Sequence, residues 1–494
     1  MMKQAIAVML VVLLGCGAAS GDAPSGAHVT EQRPPNIVVI MADDLDETTL
    51  RDAESRGWLP HIAELRARGT TFDNSFVPLS LCCPSRSSFL TGLYPHNTGV
   101  LSNEPPDGGV TAFDDSSTVA TWLEDAGYFT GHVGKYLNRY GSRGSRGEGP
   151  LRSSYVPPGW SRWQATIDPS TYSFYDYAIN DNGKVVRYGD APGDYQTDVL
   201  AKRAVAFVED APADAPLFLV TTPLATHLEA AEAERDERAY VRPAPRHAWV
   251  LDDNTLDIPR GPAFNEEDVS DKANVIQKTP RLRADDIEYL RTQYRGRIGS
   301  LLAVDDLVGD IEAALEKSAR LSNTIFVFTS DNGWLYGEHR VVQKRFPYEE
   351  SIRVPLIIRD YRTDSLPSHV DALVLNSDLA PTFAAWAGIA PPAVDGRSLV
   401  PLLDGTRPTD WRKRFLVRGP VHSKVNFLGV RTRNSIYIHY QERCGKNCDE
   451  LYFLDEDPHQ LRSQHQACDL RELQRWVDLL ANCGEGSCRR YESQ

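Results

Sequence analysis

Short, wholly apolar runs alternate along this chain with longer stretches of helical periodicity. The run Asn36-Ile-Val-Val-Ile-Met41 is continuous in its apolar character, the pattern of a strand buried on both faces of a parallel sheet. Leu217 to Thr221, Thr324 to Phe328 and Val354 to Ile358 are further strands. Helices are expected from Ser116 to Gly127, with Val119, Leu123 and Ala126 on one face, from Thr197 to Glu209, and from Asp378 to Ala387. A long helix carries Val304, Leu307, Ile311 and Leu315. This repeated alternation predicts an α/β/α sandwich built on a large, mostly parallel sheet.

Two stretches interrupt the alternation. Residues 139–195 are rich in Gly, Ser, Tyr and Arg and carry an Asn182-Gly183 hairpin signal between two short strands, which reads as an excursion off the sheet. Residues 234–283 are polar and irregular, a candidate lid over a pocket. At Ala390-Pro391-Pro392 the character changes. Strands at Asn426 to Arg431, Ser435 to Tyr440 and Glu450 to Leu454, followed by an amphipathic helix, predict a smaller C-terminal α+β subdomain over 391–494, beside a main domain over 34–390.

Composition narrows the setting. At 494 residues and 41% hydrophobic, the chain can bury a large core. A net charge of −15 argues against nucleic acid as a partner but leaves a small basic pocket open. Lys3 precedes an apolar run from Ala5 to Leu14, too short to span a bilayer, which reads as a signal peptide within residues 1–20. Its end, Leu13-Leu14-Gly15-Cys16, resembles a bacterial lipobox in which Cys16 is lipidated; the competing reading is cleavage near Ala18-Ala19-Ser20. Either route predicts an exported protein, periplasmic, at the cell surface or secreted, whose only membrane contact is a lipid anchor at Cys16.

The eight cysteines agree with export. Cys483-Gly-Glu-Gly-Ser-Cys488 can close a loop disulfide, and Cys444 can pair with Cys448, or one of these with Cys468. If the stretch from Leu470 to Leu480 is helical, Cys468 and Cys483 stand roughly 20 Å apart, too far to bond. A zinc site using these cysteines with His459 or His465 is an alternative.

The chemistry concentrates in Cys82-Cys83-Pro84-Ser85-Arg86-Ser87-Ser88-Phe89-Leu90-Thr91-Gly92. Pro84 suits the first turn of a helix and Gly92 its stop, which places Cys82 where free N–H groups favour an anion. A thiol there reads as a reactive nucleophile, with a buried cysteine pair as the alternative. The pattern Cys-x-Pro-x-Arg followed by Leu-Thr-Gly resembles the signature of type I sulfatases. That resemblance implies the alkaline-phosphatase-like fold, oxidation of Cys82 to formylglycine by a formylglycine-generating enzyme or equivalent maturase, and hydrolysis of a sulfate ester.

Asp43-Asp44 and Asp331-Asn332 each end a predicted strand, where open α/β sheets place their sites, and together they offer oxygen ligands to a hard cation. Read singly, each pair is as readily a helix cap or a turn. The family pattern sets such pairs on either side of the cysteine element. It implies a Ca²⁺ site, with Mg²⁺ as the alternative ion, made by Asp43, Asp44, Cys82, Asp331 and Asn332. It also implies that Arg86 orients the modified Cys82 and the carboxylates, while Lys135, His227 and Lys344 grip the sulfate. In the implied mechanism the formylglycine hydrate attacks sulfur in line, His227 with Lys344 protonates the leaving oxygen, and the second geminal hydroxyl expels sulfate.

The match has one departure. Many arylsulfatases read Gly-Lys-x-His, and that His is the proposed base for sulfate release; here the position is Leu137. Asn138, His132 and His339 are the candidates to replace it. Cys-Cys-Pro-Ser-Arg and Gly-Lys-Tyr-Leu-Asn resemble instead the N-acetylglucosamine-6-sulfatase and heparan endosulfatase branch, and Glu450 to Leu461 resembles the family's C-terminal strand and turn. The expected substrate is a sulfated sugar or an aryl sulfate. The alternatives are a phosphonate or phosphodiester hydrolase on the same scaffold, and a non-catalytic lipoprotein that binds sulfated glycans.

Overall fold

The strand Asn36–Ala42 runs through the middle of a ten-stranded sheet, with every residue buried. The computed structural model describes residues 33–142, 153–229, 240–441, 447–484 and 486–494. The signal peptide and Cys16 therefore lie outside the described residues, as does Cys444.

In order across the sheet the strands are His369–Val370, Thr70–Phe72, Leu356–Asp360, Thr324–Ser330, Asn36–Ala42, Leu217–Thr222, Phe129–Gly134, Arg162–Thr166, Ala178–Asp181 and Lys184–Arg187. The five central strands, from Thr324–Ser330 to Arg162–Thr166, are mutually parallel. Leu356–Asp360 pairs antiparallel with both its neighbours, and the last three strands form an antiparallel meander. The sheet is thus parallel at its centre and mixed towards its flanks: His369–Val370 pairs parallel with Thr70–Phe72 at one edge, and a tight hairpin joins the last two strands at the other. The long helix is Ala284–Lys317, and its buried stripe joins one of the two large apolar clusters on the sheet.

Two expectations need correction. Residues 162–187 do not leave the sheet but extend it by three strands, turned by Asn182 and Gly183 with φ of 50° and 89°, the left-handed pair that a tight hairpin demands. Only the outermost strand, Lys184–Arg187, is largely exposed; the other two are buried. The segment from 234 to 283 was expected as a lid. Its described part, residues 240–283, packs Val241, Ala244 and Val250 into the core beside the long helix instead, and none of it lines the cavity described below.

Residues Pro34–Gln494 cluster as one unit. The C-terminal part forms a separate four-stranded antiparallel sheet, Arg414–Arg418, Phe427–Thr432, Ser435–Tyr440 and Asp449–Phe453, of which the first strand was not foreseen. It ends in two helices, Arg471–Ala481 and Ser487–Ser493, rather than one. Phe415, Phe427 and Tyr437 share a buried cluster with Phe76, Tyr94 and Tyr348 from the main body. Cys483 and Cys488 form the expected loop disulfide, with Cα atoms 5.0 Å apart. Cys448 is also disulfide-bonded and Cys468 is free, so bonding removes three sulfurs that a zinc site would need. Among the described residues, no helix is long and apolar enough to cross a membrane.

Candidate active site

All the candidate residues converge at the carboxyl ends of the central parallel strands. Asp43 and Asp44 follow Ala42, Lys135 follows Gly134, His227 lies five residues beyond Thr222, and Asp331 and Asn332 follow Ser330. Strand polarity explains this. Parallel strands end on one edge, so residues distant in the chain meet there.

Cys82 is the first residue of the helix Cys82–Thr91, every residue of which is buried, and Gly92 ends it with φ of 72°. Its Sγ lies 3.6 Å from Asp43 Oδ1 and accepts a hydrogen bond from Lys344 Nζ at 2.8 Å. Lys344 also pairs with the Asp44 carboxylate. Lys135 Nζ donates to Asp43 Oδ2 at 2.5 Å. Arg86, one turn beyond Cys82, donates through Nε to Asp331 Oδ2 at 2.8 Å and through Nη1 to the Lys135 carbonyl at 2.7 Å. Its Nη2 stands 3.6 Å from Asp43. Three carboxylates thus face three permanent cations.

His227 donates from Nδ1 to the Leu228 carbonyl at 2.5 Å, because a carbonyl can only accept. That leaves Nε2 directed at Asp44 Oδ2, 3.4 Å away. The loop holding Lys344 is unusual. Gln343 and Arg345 on either side have φ of 76° and 87°, and Asp44 itself has φ of 62°. Such conformations each cost roughly 1–3 kcal/mol and persist where surrounding contacts impose them.

Electrostatics follow from burial and charge. Desolvation pushes the Asp43 carboxyl up, but Lys135, His227 and Arg86 outweigh it and hold it at about 2. Burial pushes the Cys82 thiol up to about 11 despite Lys135 and Lys344, so the unmodified sulfur stays protonated and is a poor nucleophile at neutral pH. Burial, opposed by Asp44 and Asp43, lowers His227. His132 falls to about 3 through burial and the nearby Arg86.

The donor set suits a hard metal ion. Asp44 Oδ2 and Asn332 Oδ1 are buried oxygens with no hydrogen-bond partner. The other Asp44 oxygen is bonded by Asn332 Nδ2 at 2.6 Å. Ligand atoms of Asp43, Asp44, Cys82 and His227 lie within 4.8 Å of one another. Asp331 stands beside them, with one oxygen accepting from Arg86 and the other from the Asp44 N–H at 3.1 Å.

A cavity of about 660 Å³ opens onto this cluster. Asp44, His227 and Lys344 form its floor. Asn138 and Tyr172 line it too, while Pro420 to Ser423, from the C-terminal part, close one side.

Of the three candidates for the missing histidine, His132 is buried against Trp163 at 4.7 Å between ring centroids. His339 is buried and paired with Glu266 at 2.6 Å. Only Asn138 reaches the cavity. Leu137 sits in an apolar core cluster.

Arg297 and Tyr172 were not foreseen. Arg297 is wholly buried; it donates to the carbonyls of Thr226, at 3.0 Å, and of Asp44, bracing the two loops. Its signal was legible, since it falls on the same helical face as Leu301 and Val304, and a charge at a core position requires partners. Tyr172 carried no such signal.

Comparison with known proteins now decides the family. The Sulfatase family model matches residues 35–389. This chain belongs to the sulfatase family. It is a sulfuric ester hydrolase. A second model, N-sulphoglucosamine sulphohydrolase C-terminal, matches residues 337–480 of this sulfatase. N-acetylglucosamine-6-sulfatase of Capra hircus is 30% identical over 96% of this chain and 87% of its own length. The Homo sapiens enzyme of the same name is 33% identical, over 83% and 71%. Among solved structures, one in complex with its substrate D-glucosamine-2-N,6-O-disulfate aligns with a TM-score of 0.72 at 24% identity, covering 91% of this chain and 97% of that one. Phosphonate monoester hydrolase of Agrobacterium radiobacter aligns with a TM-score of 0.63 at 22% identity, covering 89% and 93%. These two structures establish the fold.

Proposed function

We propose that this sulfatase removes the 6-O-sulfate of a glucosamine-type sugar, using formylglycine made from Cys82 by a maturase. We assign a Ca²⁺ site, or less suitably a Mg²⁺ site, to Asp43, Asp44, Asp331 and Asn332 with the modified residue 82. The observation that carries the reading is the junction at Cys82. Its sulfur lies beside Lys344 and Asp43, next to buried, unpartnered oxygens of Asp44 and Asn332. The names of the two mammalian relatives and the sugar bound in the aligned structure support the substrate class.

The roles follow from position. Formylglycine supplies a hydrated aldehyde as nucleophile, and a divalent cation supplies positive charge against the sulfate oxygens. Arg86 holds Asp331 and the Lys135 backbone in place. Lys135 and Lys344, both buried, neutralise charge gathering on the sulfate group, where burial strengthens such contacts. His227, with Nδ1 tethered to a carbonyl, turns Nε2 towards the site; protonated there to the imidazolium, which Asp44 and Asp43 favour, it gives the Nε2 proton to the leaving oxygen and returns to the neutral ring, assisted by Lys344. Residues 34–390 serve as the catalytic part, with 391–494 closing the pocket, and the N-terminal segment directs export.

The deciding experiment compares sulfate release from N-acetylglucosamine 6-sulfate, other sugar sulfates, nitrophenyl sulfate and a nitrophenyl phosphonate ester. Preference for the 6-sulfate supports the reading. Faster turnover of the phosphonate ester overturns it, and an intact Cys82 thiol in protein from the native host would leave the non-catalytic glycan-binding reading.

A further inference from the structure

Leu137 is buried in the core, so the position that many arylsulfatases fill with histidine turns away from the cavity here. The next residue, Asn138, faces the cavity. Its Nδ2 donates to the hydroxyl oxygen of Tyr172 at 2.5 Å, while its Oδ1 is buried and without a hydrogen-bond partner. Tyr172 comes from a remote stretch, the short turn Ser170–Tyr172 between two strands at the flank of the sheet.

The Tyr172 ring packs against two residues assigned to the sulfate. Lys135 Nζ lies 4.8 Å from its centroid, over the face, and the His227 ring lies 5.2 Å away. The cation over an aromatic face sets the plane of the ring, and the Asn138 amide occupies a lone pair of the phenol oxygen. What remains is the O–H proton. Among the described residues its hydrogen bonds offer it no acceptor besides the Asn138 amide, and the half-buried side chain lines the cavity. A donor carried on a ring that packs against an ammonium and an imidazole suits an anion's oxygen.

We propose that Tyr172, aimed by Asn138, is a further substrate-contacting residue whose hydroxyl donates a hydrogen bond to an oxygen of the sulfate group. This rests on the sulfatase reading above. The ligand class is a sulfate monoester and its product, inorganic sulfate. Tyr172 thereby supplies a neutral donor at the side of the pocket where Leu137 supplies none, and the work of one residue is shared between two.

The test uses the full-length matured chain and inorganic sulfate as probe. Y172F keeps the ring over Lys135 and beside His227 and removes only the hydroxyl. A lost hydrogen bond to a charged group predicts that the inhibition constant of sulfate rises about tenfold to a hundredfold, with kcat/KM falling in parallel and the melting temperature unchanged. N138A, which frees the phenol without removing it, is expected to shift both in the same direction by less. A packing role alone predicts parental sulfate inhibition in Y172F, and that result overturns the proposal. If the parent released no sulfate from any ester, the functional reading would fall separately, because sulfate binding by calorimetry still compares Y172F with the parent. Parental binding in the variant would again count against Tyr172.

Discussion

Lys344 Nζ lies 2.8 Å from Cys82 Sγ, across 262 residues of chain. The same ammonium pairs with Asp44, so one cation joins the candidate nucleophile position to the candidate metal site. Removing it leaves the Asp44 carboxylate buried and one charge short, which typically costs 3–5 kcal/mol in a buried pair. K344A is therefore expected to lower the melting temperature and to reduce kcat/KM by roughly a hundredfold or more, the scale of losing a charge-stabilising donor. K344R, which keeps the charge, should recover stability more than rate. Thermal melts and steady-state kinetics on the three proteins check this.

C82A is expected to abolish sulfate release while leaving the fold intact, because the side chain adds little packing at a helix N-terminus. C82S should be equally inactive towards multiple turnovers, since serine cannot provide a second hydroxyl on the same carbon. Peptide mass spectrometry of the parent should find residue 82 as an aldehyde.

Chelation should both inactivate and destabilise the enzyme. Metal bound to the native state alone adds about 2.7 kcal/mol at a hundred times its dissociation constant. EGTA is expected to lower the melting temperature, and added Ca²⁺ to restore it. D44N, which removes the only charge at the unpartnered oxygen pair, should blunt that response. An unchanged melting temperature on chelation in the parent would argue against the metal assignment.

Acid should loosen the junction between the two sheets. Glu349 is bonded by Arg431 at 2.8 Å, from the C-terminal sheet, and by Arg353 at 2.8 Å. Burial raises its carboxyl, but Arg431 and Arg353 outweigh this and hold it at about 2, against 4.5 when free. A depressed carboxyl contributes stability that is present above about pH 4.5 and is lost as pH falls towards 2, here about 3 kcal/mol at most. E349Q should unfold more easily at pH 7 and show a flatter stability profile between pH 5 and 3, read by urea titration at each pH.

Much of the site was legible because its parts are local. Asp43-Asp44 and Asp331-Asn332 each adjoin an apolar run whose period and length mark a buried strand, and Cys82 to Gly92 carries its own helix start and stop. Six of the nine candidate residues, Asp43, Asp44, Lys135, His227, Asp331 and Asn332, meet because parallel strands end together, whereas Cys82 and Arg86 arrive on a helix and Lys344 on a loop. The hairpin at Asn182-Gly183 was legible, but its pairing onto the main sheet was not, because that pairing is set by contacts distant in the chain; the region expected as a lid has buried residues that are widely spaced. Tyr172 was invisible for a related reason: its importance lies in a position relative to Lys135, His227 and Asn138, not in any pattern around it.

By itself, then, the sequence determined the strand–helix order, the identity of the chemical groups and the family signature around Cys82, since these rest on periodicity and adjacency. Only the tertiary structure decided which groups face each other. It placed Leu137 in the core and Asn138 in the cavity, paired Arg297 with two backbone carbonyls, and brought the loop Pro420 to Ser423 to the pocket wall. The physical reason is that such contacts are set by sheet register and by the packing of long-range elements, which no local stretch of chain encodes.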